Sequence, residues 1–495
     1  MNSEGVDVDE TGLSYTLDEA LEMVGFGKFQ ALVMAYAGLG SMAEAMEVMI
    51  LSFIGTSVKD EWGLSPGQES FITSVVFGGM LVGAYLWGFI SDNYGRRQAI
   101  GFPFYELERL FLWIGLLSVG AVTGIFAFLS AFSLNYSSLV VFRMVAGIGL
   151  GGGPVYSSWY LEFVPVQNRG FWMVVFSTFW TIGTILEALL AWIIIPRFGW
   201  RWVLIFSSVP CLLTLAFYSF TIESPRYLCL NNKFGDAHKI LKQMAEMNKS
   251  QLPPGILVPH QENSPSDRVP LLSIRKRIIN SPISLFFTLL SSSLVKTTLL
   301  LWIIYFANSF VYYGAVLLTT ELSGGESECG SILLLSGGST LYMDAFITSF
   351  AEFPGLILSG LLVDKIGRRF SMVVMYLIGF IFLLPLLFRQ NELITTSLLF
   401  GARMCFTGNY TVACIYCPEL YPTCVRTTGV GAATAVGRVA GIICPLVAVW
   451  LVSGCHQMAA IALFEVVLVV AGISVMLLPL ETKATKLSDI VASSQ

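Results

Sequence analysis

Long apolar runs recur along the chain, each close to the 20 or so residues a helix needs to cross a bilayer, and short polar segments separate them. They predict transmembrane helices near residues 29–56, 68–91, 110–132, 136–160, 171–195 and 200–221, and again near 297–320, 341–363, 370–388, 394–417, 425–452 and 456–480. Between the two groups lies a polar stretch rich in Lys, Pro and Ser. The pattern predicts an all-α membrane protein of twelve transmembrane helices in two six-helix bundles. Its expected divisions are an acidic tail 1–28, a first bundle 29–221, a linker 222–296, a second bundle 297–480 and a tail 481–495. Within the linker, residues 235–248 keep apolar side chains at helical spacing, which predicts an amphipathic helix lying against the bundle. The part from Gln251 to Pro270 reads as irregular.

Composition agrees with a lipid environment: 55% of residues are hydrophobic and only 12% charged, against about 25% charged in soluble domains. The net charge of −5 is spread along the chain with no basic face, so no nucleic-acid partner is expected. The first 22 residues carry seven acidic side chains and no Lys or Arg, unlike a cleaved leader, which begins with positive charge.

With the N-terminus placed inside, inner segments hold twenty Lys and Arg and outer segments four. That bias predicts cytoplasmic termini. Most of the nine cysteines sit in apolar runs. Cys329 and Cys455 fall in predicted outer loops, where a disulfide between them is open. Cys414 and Cys417 form a lone C-x-x-C without the second pair or histidines a metal site needs. Neither metal nor cofactor is expected.

The two halves repeat one another. Residues 88–97 read GFISDNYGRR and 360–369 read GLLVDKIGRR, so Gly88, Asp92, Gly95, Arg96 and Arg97 recur as Gly360, Asp364, Gly367, Arg368 and Arg369. Arg143 recurs as Arg403, and Glu162, Pro165 and Arg169 recur as Glu419, Pro422 and Arg426. Matches kept in the same order indicate a duplicated, pseudo-symmetric architecture. The offset falls from 272 to 260 between Gly88 and Arg143, which places about 12 surplus residues between Arg97 and Arg143. The stretch FPFYELERLF (102–111) predicts an irregular or interfacial insertion there.

The doubled G-x-x-x-D-x-x-G-R-R signature resembles the major facilitator superfamily. RMVAGIGLGGG (143–153), ESPRYL (223–228) and PELYPTCVRTTGVG (418–431) resemble other markers of its sugar-porter and organic-ion branches. YTLDEALEMVGFGKFQ (15–30), AEAMEVMILS (43–52), SSWYLEF (157–163) and SFAEFPG (349–355) are similar to its synaptic-vesicle-two-related and organic cation transporter group. The resemblance implies the major facilitator fold and a secondary active transporter working by alternating access. Its substrate would be a small organic ion, either an organic cation or carnitine or a nicotinate-type pyridine carboxylate, with protons as a candidate co-substrate. No enzyme activity is expected, since His238 and His260 fall in the predicted linker and His456 at the edge of a predicted span; a monomer in the plasma membrane is expected, with the vacuolar membrane second. A non-transporting receptor or interaction protein on the same fold is the alternative.

Asp92 and Asp364, with the Arg pairs after them, sit at predicted cytoplasmic helix ends, where ion pairs at the seam between the halves would form a gate. Topogenic charge is the plainer reading. Glu162 and Glu419, each seven residues before Arg169 and Arg426, would complete these networks, as the resemblance implies for both halves. Glu223 and Arg226 either join the cluster or solvate a helix end.

Glu44 and Glu47 lie mid-span in the first helix, where a carboxylate costs roughly 2.5–3.5 kcal/mol on insertion scales. A spacing of three puts both on one face, so they could share a proton or attract a cation. Glu187, Glu352 and Glu465 are single carboxylates within spans. Arg403 and Arg438 could hold a substrate carboxylate or pair internally, and Arg143 likewise. Trp159, Phe176, Trp180, Tyr312 and Tyr313 could box an ammonium or pyridine ring, or serve as packing. The glycines of 147–153 predict close helix packing rather than a phosphate loop.

Overall fold

The computed structural model describes residues 14–94, 116–165, 169–218, 221–230, 233–258, 287–292, 294–323, 339–388, 390–421, 425–453 and 457–482. The surplus residues before the third span, and Cys329 and Cys455, lie wholly or largely outside the described residues.

Twelve spans follow in order. The first is Lys28–Met49 continued by Leu51–Trp62, the second Pro66–Tyr94 and the third Leu116–Ser130. The fourth is Tyr136–Leu150 with Gly153–Leu161, the fifth Arg169–Phe198 and the sixth Trp200–Ala216. The second set comprises Val295–Ser323, Ser339–Ser349 with Glu352–Ile366, Arg368–Leu383, Glu392–Leu420, Arg426–Ser453 and Gln457–Met476. Among the described residues, nine helices meet both the length and the hydropathy of a membrane span. The third and sixth are shorter, and the tenth, 29 residues long, carries Arg403 and Asn409 among its threonines.

Helix boundaries follow local chemistry. Asn135 and Asn391 cap the fourth and tenth spans, accepting from the backbone N–H of Ser138 at 2.8 Å and of Ile394 at 2.9 Å. Gly199 (φ 83°) turns the chain between spans five and six, and Gly367 (φ 89°) between eight and nine. Gly367 belongs to the repeated motif, so one motif position has a backbone reason.

The halves pack alike. In the first, span one lies on span five, two on four, three on four, and three on six; in the second, seven lies on eleven, eight on ten, nine on ten, and nine on twelve. The seam between spans two and four is built on glycine: a Cβ at Gly83 would meet the Ile148 carbonyl oxygen at 2.0 Å, and one at Gly147 the Val76 carbonyl oxygen at 2.3 Å. Backbones that close need small residues. Across the halves, span two packs on span eleven and span five on span eight.

The face where the first span begins and the twelfth ends is called here the terminal face. There the helix Leu17–Val24, capped by Thr16 and Glu19, packs against the linker helix Phe234–Asn248. The latter buries Ala237, Ile240, Leu241, Met244 and Ala245, the apolar stripe its spacing predicts. Strands Ser14–Tyr15 and Ile256–Leu257 pair in parallel beside it.

Candidate functional site

Three arginine–glutamate pairs sit inside the bundle. Arg143 Nη1 donates to Glu47 Oε2 at 2.8 Å, both side chains 0% exposed, joining spans four and one. Arg403 donates to Glu352 Oε1 from Nη2 at 2.8 Å and Nε at 3.2 Å, joining spans ten and eight. Arg438 Nη2 reaches Glu44 Oε1 at 3.4 Å and Arg438 Nη1 the Tyr313 hydroxyl at 3.3 Å, joining span eleven to spans one and seven. The last pair bridges the halves; its side chains are 11% and 12% exposed, against 1% or less for the others.

This arrangement bears on two pairs of readings that the sequence leaves open. Glu44 and Glu47 each face their own arginine, Glu47 that of its own half and Glu44 that of the other. Arg403 lies behind Glu352 with 1% exposure and is an internal partner rather than a free substrate ligand.

A small cavity, about 20 Å³ in volume, lies among spans one, two, five and seven, walled by Phe77, Trp180, Tyr312 and Tyr313 with Val48 and Thr184. Phe77 and Tyr313 pack with centroids 4.5 Å apart, and Trp180 Nε1 donates to the Tyr312 hydroxyl at 3.2 Å. Three of the five aromatics singled out from sequence thus converge. Trp159 and Phe176 do not. Trp159 lies beyond the fourth-span break, donates to the Ile222 carbonyl at 3.1 Å and packs edge-on to Tyr36, while Phe176 stacks on Tyr160. Both belong to the core under the terminal face.

Of the other buried carboxylates, Glu187 accepts from the Ser207 hydroxyl at 2.6 Å through one oxygen, leaving the other without a bond. Glu47 Oε1 and Arg143 Nε and Nη2 are also buried without bonds, and so are both oxygens of Glu465. Glu352, which looks single in the sequence, accepts from Arg403 and from Tyr312. Only the mid-span charge of its partner Arg403 hinted at that.

On the terminal face Arg368 grips Glu419 with Nε and Nη2, both at 3.1 Å, and Glu481 accepts from the backbone N–H groups of Arg368 and Arg369 at 2.9 and 3.0 Å. These bonds join residues of the second half. Glu481, at the end of the twelfth span, is a member the repeat did not reveal. Arg169 donates to the Val164 carbonyl at 3.3 Å, and Arg226 pairs with Asp18 of the N-terminal helix. Gly95, Arg96 and Arg97 lie outside the described residues, as do the side chains of Asp92, Asp364 and Arg426. Gly88 and Gly360 are placed within helices two and eight, and Glu162 at the end of span four.

The opposite end is packed shut. Met49, Phe53, Ala188 and Ala191 of the first half form one cluster with Val316, Tyr342 and Ala345 of the second. Closer to the middle, the Ser74 hydroxyl donates to the Ile442 carbonyl at 2.9 Å.

Two six-helix halves around a central cavity with buried charge define a membrane transporter of the major facilitator superfamily. The sequence signature of the family described as "Sugar (and other) transporter" matches residues 36–492, and the chain belongs to that family. It is 51% identical to Organic cation/carnitine transporter 7 of Arabidopsis thaliana, over 97% of each chain. It is 34% identical to the Synaptic vesicle 2-related protein of Pongo abelii, over 96% of this chain and 83% of that one. Among solved structures it is similar to the inward-open xylose transporter XylE from E. coli, with TM-score 0.66 and 17% identity over 92% of this chain and 98% of that one. Fold and relatives are those of transporters, not enzymes.

Proposed function

We propose that the chain carries a small zwitterion or organic cation of the carnitine type by alternating access, with the cavity beside Glu44 and Arg438 as its site. The observation that carries this reading is the cross-half Glu44–Arg438 pair, the most open of the three and the longest, at 3.4 Å. A zwitterion replaces that pair end for end: its carboxylate takes the Arg438 guanidinium, whose Nε has no bond, and its ammonium takes Glu44. Phe77 and Tyr313 offer ring faces to the cationic head. The relative named as an organic cation/carnitine transporter supports this substrate class. A nicotinate-type anion would use Arg438 but leave Glu44 unmatched.

Proton coupling is assigned to Glu47, Arg143 and Glu187, whose unbonded buried atoms leave room for one added proton to change partners. The positive-inside bias supports a cytoplasmic terminal face, which makes the packed end the outer gate. A monomer in the plasma membrane completes the reading.

The test is counterflow of labelled carnitine and nicotinate in proteoliposomes. Carnitine exchange is expected in the parent chain and should fall at least tenfold in Glu44→Gln and in Arg438→Gln, with nicotinate less affected by Glu44→Gln. Wild-type carnitine exchange in both variants would refute the site. Uptake insensitive to pH and to an uncoupler would refute the coupling.

A further inference from the structure

The Glu352–Arg403 pair has no part in the binding scheme above, yet its wiring differs from that of its repeat-mate. Arg143 and Arg403 occupy matching places in the duplication, but Arg143 finds its acid on span one of its own half, whereas Arg403 finds Glu352 on span eight. Glu352, fully buried, then collects further donors. The Tyr312 hydroxyl donates to Oε1 at 2.9 Å, and the Thr184 hydroxyl, also 2.9 Å from the Thr181 carbonyl, lies 3.3 Å from Oε2. Trp180 Nε1 donates to that same Tyr312 hydroxyl.

Trp180 and Thr184 are four residues apart on span five, hence on one face of one helix, and they belong to the first half. Tyr312, Glu352 and Arg403 belong to the second. Trp180, Thr184 and Tyr312 line the cavity; Glu352 does not. One turn further along span five, Ala188 and Ala191 enter the cluster that seals the far end against Tyr342 and Ala345.

We propose that Glu352 is a positioning residue that ties the wall of the substrate cavity to closure of the far gate. Its carboxylate fixes the Tyr312 hydroxyl and, through it, the Trp180 indole, while its second oxygen holds Thr184, so span five stays docked on spans seven and eight. A solute that hydrogen-bonds Tyr312 or Thr184 in the cavity competes directly with this tie. Occupancy and gate opening then draw on the same acceptor. Arg403 keeps Glu352 aimed through two hydrogen bonds, from Nε and Nη2.

The gate arm of the test needs no substrate. In the full-length chain a cysteine placed at Ala345, buried in the sealed end, is labelled with a maleimide, and its rate is compared with that of the chain lacking it. The rate is expected to rise at least tenfold with Glu352→Gln. It should rise at least threefold with Thr184→Val or Trp180→Phe, which leave the ion pair intact and serve if Glu352→Gln fails to fold. The double variant Glu352→Gln/Thr184→Val should label no faster than Glu352→Gln alone. Unchanged protection of the cysteine in Thr184→Val and Trp180→Phe overturns the proposal.

The second arm rests on the cavity being the substrate site. There Glu352→Asp, which keeps the charge, is expected to restore most of the turnover lost in Glu352→Gln, with KM moving less than kcat. Equal turnover in the two overturns the positioning role. Absence of carnitine exchange in the parent chain would instead count against the substrate reading, and the labelling arm would stand unaffected.

Discussion

Gly83→Ala is the sharpest test of how the transporter is held together. The added Cβ would lie 2.0 Å from the Ile148 carbonyl oxygen and 2.8 Å from the Ile148 carbonyl carbon, both backbone atoms that no rotamer change can move. Spans two and four would have to separate locally by about 1 Å to restore an ordinary contact in a close-packed interior. The same seam holds Gly79, Gly147 and Gly151, whose own Cβ positions lie 2.3 to 2.5 Å from backbone atoms of the opposite helix, so the whole seam loses contact together. Overpacking of this kind costs about 1–3 kcal/mol.

Gly78→Ala is the matched control, on the same helix five residues away, with nothing within 4 Å of the new methyl. Thermal unfolding of the purified chain in one detergent should show Gly83→Ala well below the parent and Gly78→Ala at or slightly above it, since alanine is the better helix former. If the two variants melt together, the close approach of the two backbones is not a determinant of stability and the reasoning fails.

Arg143→Gln leaves Glu47 buried without its charge partner and should destabilise by about 3–5 kcal/mol, whereas Arg143→Gln with Glu47→Gln should recover a large part of that. Titration with a denaturing detergent reads the difference, and a double variant as unstable as the sum of the singles would contradict it. Gly367→Ala meets φ 89° and ψ 175°, a conformation essentially confined to glycine, and crowds the Glu481 carboxylate at 2.8 Å. It should cost about 1–3 kcal/mol and speed hydrogen exchange at the Arg368 and Arg369 amides; unchanged exchange there would count against the Glu481 cap.

Much of this protein was legible in its sequence because hydrophobic length and period are one-dimensional properties. Runs of apolar residues gave twelve spans, and in-order repetition of Gly, Asp and Arg gave the duplication, since both follow from what a helix needs in lipid. The glycines of 147–153 were legible as packing positions because nothing else explains so many small residues in an apolar run.

What spacing did not decide was who meets whom across helices. Glu44 and Glu47 share a helix face, yet their partners lie in different halves. Glu352 looked solitary because its arginine is 51 residues away and its remaining donors come from spans five and seven. Trp159 and Phe176 matched the aromatic pattern of a cavity but pack under the terminal face, because the break at the fourth span and the entry of the fifth set their depth. Sequence by itself determined how many helices there are and which carry buried charge. Only the tertiary structure decided the pairing, since a buried carboxylate takes whichever cation the packing of the bundle brings within reach.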